Sequence, residues 1–216
     1  RCEADRRACR QPRRRSTASC RSELCGNTLA LSIHHDFING AGHLVDPDRL
    51  IVRARAVPMQ PHPRLPTPAT KLTLRPRYGE ANGVAHGPSL QTLVALHVGP
   101  ESVAELVALP PHALRQGRWL TAAPLLDGCL QACSILARHQ LGVDTAILPR
   151  GFARLCSHRQ ARPQERCRMI VRMTHVEGRR LFFDFDVVGD DGQLVYQALG
   201  YESLLLEPLT SQVAHA

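Results

Sequence analysis

Apolar side chains alternate with mainly charged ones over residues 166–173 and 181–187, and this pattern constrains the fold more than any other feature of the chain. Successive side chains of a β-strand point to opposite faces, so the alternation predicts strands that each bury one face. Turn signals at residues 177–178 and 189–192 fall where hairpins need them. A last strand is predicted at residues 193–207. The apolar members of the alternation are Cys167, Met169, Val171, Met173, Leu181, Phe183, Phe185 and Val187.

One convincing helix precedes these strands, at residues 124–139. Upstream of it we expect a strand at residues 49–57, a short strand at 71–75, a brief helix before residue 93, and two strands within 94–109. One long helix against an antiparallel meander is an α+β architecture.

The composition of the 216-residue chain indicates an ordinary globular protein, with 44% apolar residues and room for one sizeable or two small domains. No apolar run approaches the roughly 20 residues of a membrane helix. The basic first residues lack the apolar segment of a signal peptide. We therefore expect a cytoplasmic protein without a membrane partner.

The net charge of +8 is concentrated at the beginning of the chain, where residues 1–25 hold eight arginines against three acids. We predict a disordered Arg/Cys-rich tail at residues 1–28. Such a tail could contact nucleic acid, but we interpret it as a solvated segment and expect no nucleic-acid partner. The cysteine spacings fit no paired zinc-ligand pattern, so no metal site is predicted. Four later cysteines are expected to be buried apolar groups: Cys129, Cys133, Cys156 and Cys167.

Asp127 and Gln131 are the candidate catalytic residues of the predicted helix. Leucines frame the carboxyl, and apolar surroundings disfavour its anion, which suits an acid that donates a proton near neutral pH. The carboxamide of Gln131, four residues on, lies on the same helix face and can hydrogen-bond the carboxyl. The alternative interpretation is that Asp127 only caps the helix N-terminus, a position that Asp favours.

Four landmarks follow one another in a fixed order through the second half of the chain. They are Tyr78, His86-Gly87-Pro88-Ser-Leu90, Pro124-Leu-Leu-Asp127-Gly-Cys-Leu-Gln131 and Leu148-Pro149-Arg-Gly151-Phe152. Residues 78–207 thereby resemble the C-terminal half of a polyketide synthase dehydratase domain, the double-hotdog module of polyketide and polyunsaturated fatty-acid synthases. The resemblance implies a hotdog fold, in which an antiparallel sheet wraps one long central helix. It places this fold at residues 69–210.

The resemblance also implies an activity, the removal of water from a β-hydroxyacyl chain on an acyl carrier protein. The carrier presents the chain on phosphopantetheine, so no cofactor bound directly by this chain is implied. By similarity Asp127 is the general acid and Gln131 its orienting partner. The residues implied to bind substrate are His86, Gly87, Pro88, Leu90, Leu148, Pro149, Gly151 and Phe152.

The family takes its base from a His-x-x-x-Gly-x-x-x-x-Pro motif, which this chain does not contain. In the nearest string, the spacing from His35 to Gly40 is one residue too long. We interpret residues 29–68 as a remnant of the first hotdog with a proline-rich linker, and the chain as a fragment or half-domain. Its base is then missing, or supplied by an N-terminal hotdog or a second copy of the chain. His34, His35 and His43 are weighed as replacements, though nothing in the sequence directs one to Asp127.

Two other classes of function stay open. The chain could be a non-catalytic dehydratase-like domain that shapes a synthase. It could also be another hotdog enzyme of acyl thioesters, an isomerase or a thioesterase.

Overall fold

The computed structural model describes residues 18–41, 43–58, 70–76, 78, 86–99, 101–109 and 123–206. The chain divides into two compact units, Arg1–Gln60 and Pro61–Ala216.

The first unit contains a three-stranded antiparallel sheet. Its strands are β1 (Ala18–Cys25), β2 (Thr28–Ile38) and β3 (Leu44–Ala56), in that spatial order. Residues 26–27 turn β1 into β2, and Gly26 has a φ of 61°, the left-handed region that glycine enters without steric cost. The predicted strand at residues 49–57 is thus the second part of a longer strand.

The prediction of a disordered tail over residues 1–28 is wrong for residues 18–28. Every residue of β1 is exposed, so the segment lacks the apolar periodicity by which a strand is recognised. Its order comes from backbone pairing with β2, which runs from Ala18 opposite His35 to Cys25 opposite Thr28. Sequence composition does not reveal this pairing. Residues 1–17 lie outside the described residues.

The second unit contains a six-stranded antiparallel sheet with the spatial order β4-β5-β7-β8-β9-β6. Its α-helix, α1 (Ala123–Leu141), lies between β5 and β6 in the chain. The strands are β4 (Leu93–His97), β5 (Ser102–Val107), β6 (Ile147–Ser157), β7 (Arg166–Glu177), β8 (Arg180–Val188) and β9 (Leu194–Leu205).

The predicted meander is confirmed for β7, β8 and β9. Val171 pairs with Phe185, and Phe183 pairs in turn with Tyr201. The turn between β7 and β8 contains Gly178 with a φ of 59°. The short strand predicted at residues 71–75 is wrong, because only Leu74 forms a β-bridge, with Leu96 of β4.

Helix α1 packs its apolar face on β4, β5 and β7, and it confirms the helix predicted at residues 124–139. Its core-facing residues recur at helical spacing, which places them on one side of the helix. The four cysteines predicted to be buried are all buried and free. The helix residues of the core are Leu125, Cys129, Ala132, Cys133, Leu136 and Ala137.

Candidate active site

Asp127 lies in the second turn of α1, five positions along a helix that begins at Ala123. The first turn contains no acidic residue. The alternative interpretation of Asp127 as a helix cap is therefore wrong, because four helical residues precede it in α1. The side chain is 32% exposed, so its carboxyl is partly desolvated yet open to a bound molecule.

The beginning of α1 is fixed by close contact with the segment before β4. Thr92 Oγ1 donates a hydrogen bond of 2.9 Å to the carbonyl of Pro124. A Cβ atom on Gly128 would lie 2.2 Å from this hydroxyl and 3.0 Å from Leu106 Cδ2. Glycine beside Asp127 thus lets the helix approach the sheet closely, and this approach fixes the position of the carboxyl relative to the sheet.

Gln131 connects three parts of the site. Its Nε2 donates to Asp127 Oδ2 over 2.7 Å and to the carbonyl of Leu90 over 2.8 Å. Its Oε1 lies 3.0 Å from the hydroxyl of Tyr78. Gln131 is only 8% exposed, and a buried amide that uses all its polar atoms is a rigid support.

Tyr78 joins this network to β4. Its hydroxyl lies 2.9 Å from the carbonyl of Leu93 and accepts a bond of 3.1 Å from the N–H of the same residue. Burial raises the pKa of Tyr78 to about 12, with the charge of Asp127 adding to the effect and the bond with Leu93 opposing it. Tyr78 is therefore a neutral hydroxyl at neutral pH.

The structure brings His86 to Asp127, a contact that the sequence did not indicate. The Nε2 atom of His86 lies 3.8 Å from Asp127 Oδ2, and the imidazole is 25% exposed. The ring of Tyr78 meets the imidazole edge-on, with ring centres 6.4 Å apart.

The other residues of the Gly-Pro landmark lie close to this pair. Gly87 precedes a short 3₁₀ helix, Pro88–Leu90, whose last carbonyl accepts the bond from Gln131. The Nε2 atom of Gln91 donates 2.9 Å to the carbonyl of His86. The predicted substrate-binding residues 86–90 are thus connected to Asp127 through Gln131.

The second predicted group of substrate-binding residues lies on β6, the edge strand beside β9. Leu148 and Pro149 are exposed there, and Gly151 pairs opposite Glu202. Phe152 is half-buried, with its ring centre 5.1 Å from that of Tyr201. The structure connects this group to the aromatic core of the sheet through Phe152.

Tyr201 is a residue near the site that sequence reasoning missed. It is 1% exposed, and no partner for its hydroxyl is found among the described residues. Burial raises its pKa, and the neighbouring Cys133 and Asp127 raise it further. Its alternation within β9 indicates a buried position, but no sequence signal reveals an unsatisfied hydroxyl.

The three candidate replacement bases belong to the first unit. Both ring nitrogens of His34 are engaged, one 2.9 Å from the carbonyl of Asp48 and the other 3.0 Å from Ser32 Oγ. His35 lies on β2, and His43 is exposed just before β3.

The carboxylates of Glu165, Asp190 and Asp191 have oxygens within 4.8 Å of one another, the one such grouping of possible metal ligands in the described part of the chain. Arginines form ion pairs with all three carboxylates. Arg159 donates to Glu165 over 2.6 Å and to Asp191 over 2.9 Å, and Arg162 pairs with Asp190. The grouping is an ion-pair network that ties the turn before β7 to the turn before β9.

A comparison with known families gives a match that covers well over half of the chain. The family described as "Polyketide synthase dehydratase N-terminal domain" matches residues 55–212. The chain belongs to the polyketide synthase dehydratase family. A comparison with curated proteins gave no match.

Solved structures support the fold of this dehydratase-family chain. It is similar to the dehydratase domain from the CurJ module of curacin polyketide synthase, with a TM-score of 0.68, 14% identity, and coverage of 88% of this chain and 68% of that one. It is also similar to an enoyl-isomerase of a trans-acyltransferase polyketide synthase, with a TM-score of 0.63, 16% identity, and coverage of 87% of this chain and 72% of that one. A third similar structure is an inactive variant of the CurK dehydratase, with asparagine in place of an aspartate. Its TM-score is 0.64 and its identity 17%, with coverage of 89% of this chain and 69% of that one.

These likenesses confirm the predicted hotdog fold, an antiparallel sheet with one helix among the described residues. Within the same residues no helix is both long and apolar enough to span a membrane.

Proposed function

We propose that this chain takes part in dehydrating a β-hydroxyacyl thioester during polyketide or fatty-acid biosynthesis, with Asp127 as the general acid. The thioester is carried on the phosphopantetheine of an acyl carrier protein, which is the partner, and the reaction is that of a cytoplasmic hydro-lyase. No cofactor bound directly by the chain takes part. The observation that carries the proposal is the bond of 2.7 Å from Gln131 to a partly exposed Asp127.

The geometry of the carboxyl suits proton donation to a departing hydroxyl. Gln131 occupies Oδ2, and no hydrogen bond to Oδ1 is found among the described residues. Oδ1 is therefore the oxygen that can carry the proton to the β-hydroxyl of the substrate. Because Gln131 is itself held by Tyr78, the acid is positioned before substrate arrives, which favours catalysis.

The substrate is proposed to lie between the two groups of residues that the resemblance implies. His86, Gly87, Pro88 and Leu90 contact it near Asp127. The acyl chain continues along β6, where it meets Leu148, Pro149, Gly151 and Phe152. The exposure of Leu148 and Pro149 in the structure supports a contact surface there.

We propose that residues 69–210 correspond to the C-terminal hotdog of a double hotdog. The Asp-x-x-x-Gln spacing on α1 and the order of the four landmarks support this position. The description of the matching family names the N-terminal domain, so the position rests on the landmarks. A separate N-terminal hotdog, or a second copy of this chain, would then complete the module.

Isomerisation of an enoyl thioester is the alternative function. The likeness to a polyketide synthase enoyl-isomerase favours it. Moving a double bond requires no leaving hydroxyl, so the two functions differ in their substrates. A scaffold without catalysis would act on neither substrate.

The test is to incubate the purified chain with a short β-hydroxyacyl carrier protein and follow the loss of water by intact mass. Asp127→Asn should abolish the loss while the circular dichroism spectrum stays unchanged. Asp144→Asn, an exposed aspartate beyond α1, is the matched control and should behave as wild type. If the chain is inactive alone, the assay is repeated with a separately expressed N-terminal hotdog. Turnover that survives Asp127→Asn would disprove the role of the acid, and a β,γ-enoyl carrier protein would report isomerisation instead.

A further inference from the structure

Elimination of water from a β-hydroxyacyl thioester needs a base as well as an acid. The base removes a proton from the α-carbon, and the acid protonates the oxygen that leaves the β-carbon. A base must come within about 2.6–3.2 Å of the atoms it serves. The proposed function above assigns only the acid to this chain.

We infer that His86 is the base, so that a single hotdog holds both proton-transfer groups of the site. This inference rests on the proposed function. The observation that supports the inference is the distance of 3.8 Å between His86 Nε2 and Asp127 Oδ2, with both side chains partly exposed. Two groups this close can each reach one of two adjacent carbons of the same chain.

The position of His86 is fixed by the network that fixes the acid. Gln131 bonds both Asp127 and the carbonyl of Leu90, at the end of the short helix that follows His86. Gln91 bonds the carbonyl of His86 itself. A change at Gln131 would therefore move acid and base together.

The proton count closes within the pair. Neutral His86 Nε2 takes the α-proton, and the electrons of that C–H bond form the double bond as the C–O bond to the β-hydroxyl breaks. Asp127 gives its proton to the departing oxygen, which leaves as water. Imidazolium and carboxylate remain 3.8 Å apart, and transfer of the proton from His86 back to Asp127 restores the starting state.

Among the candidate bases of the first unit, His34 fits this role poorly. A base needs a ring nitrogen that is free to accept, and both nitrogens of His34 already have partners in β2 and β3. The Nε2 atom of His86 differs, because it lies 3.8 Å from Asp127 Oδ2, which is longer than a hydrogen bond.

The first test separates removal of the α-proton from loss of water. A saturated thioester, butyryl-N-acetylcysteamine, has no hydroxyl to lose, so its α-hydrogens exchange with D₂O only where a base acts on them. Wild type should exchange them, and Asp127→Asn, which loses dehydration, should still do so. His86→Gln should slow exchange by about a hundred-fold or more. His139→Gln, an exposed histidine at the end of α1, is the matched control and should leave it unchanged.

The second test guards against a variant that merely disturbs the fold. Imidazole added to His86→Ala should restore part of the exchange, which a structural role for His86 would not allow. Circular dichroism verifies that both His86 variants are folded.

The outcomes separate this inference from the proposed function. Exchange that survives His86→Gln overturns the inference, since the base then lies elsewhere. A wild-type chain that neither exchanges nor dehydrates overturns it too, because this chain would hold no base. If an added N-terminal hotdog then restores dehydration that depends on Asp127, the proposed function stands although the inference has failed.

Discussion

Gln131 holds Asp127 by a single oxygen, donating to Oδ2 over 2.7 Å from one turn further along α1. Its amide also donates to the carbonyl of Leu90, and its oxygen lies within hydrogen-bond distance of Tyr78. Among the described residues, the carboxyl is thereby hydrogen-bonded on one edge only. The other edge remains available for chemistry, and the support itself is buried.

Replacing Gln131 should harm turnover more than substrate binding. Gln131→Leu removes both donated bonds, so the carboxyl and the segment of His86 lose their shared support. Because small misplacements of catalytic groups can cost about a hundred-fold in rate, we expect kcat to fall by about 10- to 100-fold with little change in KM. Steady-state kinetics on a β-hydroxyacyl thioester measure this. Gln140→Leu, an exposed position on the same helix, is the control, and an equal loss there would contradict the assignment.

Gly128 should not tolerate a methyl group. The new Cβ of Gly128→Ala would lie 2.2 Å from Thr92 Oγ1, and that hydroxyl is buried and bonded to Pro124. Overpacking costs about 1–3 kcal/mol, against about 1 kcal/mol gained in helix propensity. We expect a net loss in the free energy of unfolding, measured by urea denaturation.

A double-mutant cycle verifies the cause of this loss. In a Thr92→Ala background the nearest clashing atom is absent, so Gly128→Ala should cost clearly less there. An identical cost in both backgrounds would place the strain elsewhere.

The stability that Glu165 contributes to the fold should depend on pH. Its side chain is 0% exposed. Burial alone would raise its pKa, but bonds from Arg159 and from the backbone N–H of Arg162 lower the pKa to about 2. A carboxyl with a lowered pKa stabilises the fold above its unfolded pKa of about 4.3, and this contribution disappears as pH falls towards 2.

Glu165→Gln should therefore destabilise the chain by about 3 kcal/mol at neutral pH, in the range for breaking a buried ion pair. The difference from wild type should shrink between about pH 5 and pH 2. Unfolding by urea at a series of pH values measures it. Glu101→Gln, at an exposed glutamate, should show no such trend, and a gap for Glu165→Gln that is constant with pH would refute the argument.

The hydroxyl of Tyr201 should contribute nothing to the stability of the fold. The group is buried without a partner among the described residues, and an unsatisfied buried polar group costs about 1–3 kcal/mol. Tyr201→Phe keeps the ring contacts with Phe152 and Phe183, so we expect equal or greater stability in thermal melts. A clear fall in Tm would show that the hydroxyl has a partner.

Much of the fold could be predicted from the sequence, because local patterns encode it. The alternation over residues 166–187 predicted β7 and β8, the turn signals predicted their hairpins, and helical spacing predicted α1. β1 was not predicted, because none of its residues is buried and its order comes from backbone pairing with β2, the other strand of its hairpin. The strand expected at residues 71–75 failed for the converse reason. Its local pattern was adequate, but only Leu74 pairs.

The sequence alone determined which residue types the site contains, since an aspartate and a glutamine four residues apart on a helix must share a face. Only the tertiary structure decided what surrounds them. It placed His86 3.8 Å from the carboxyl. Helical spacing is a local property of the backbone. The approach of His86, 41 residues before Asp127 in the chain, depends on how the helix packs against the sheet, and no local pattern records that.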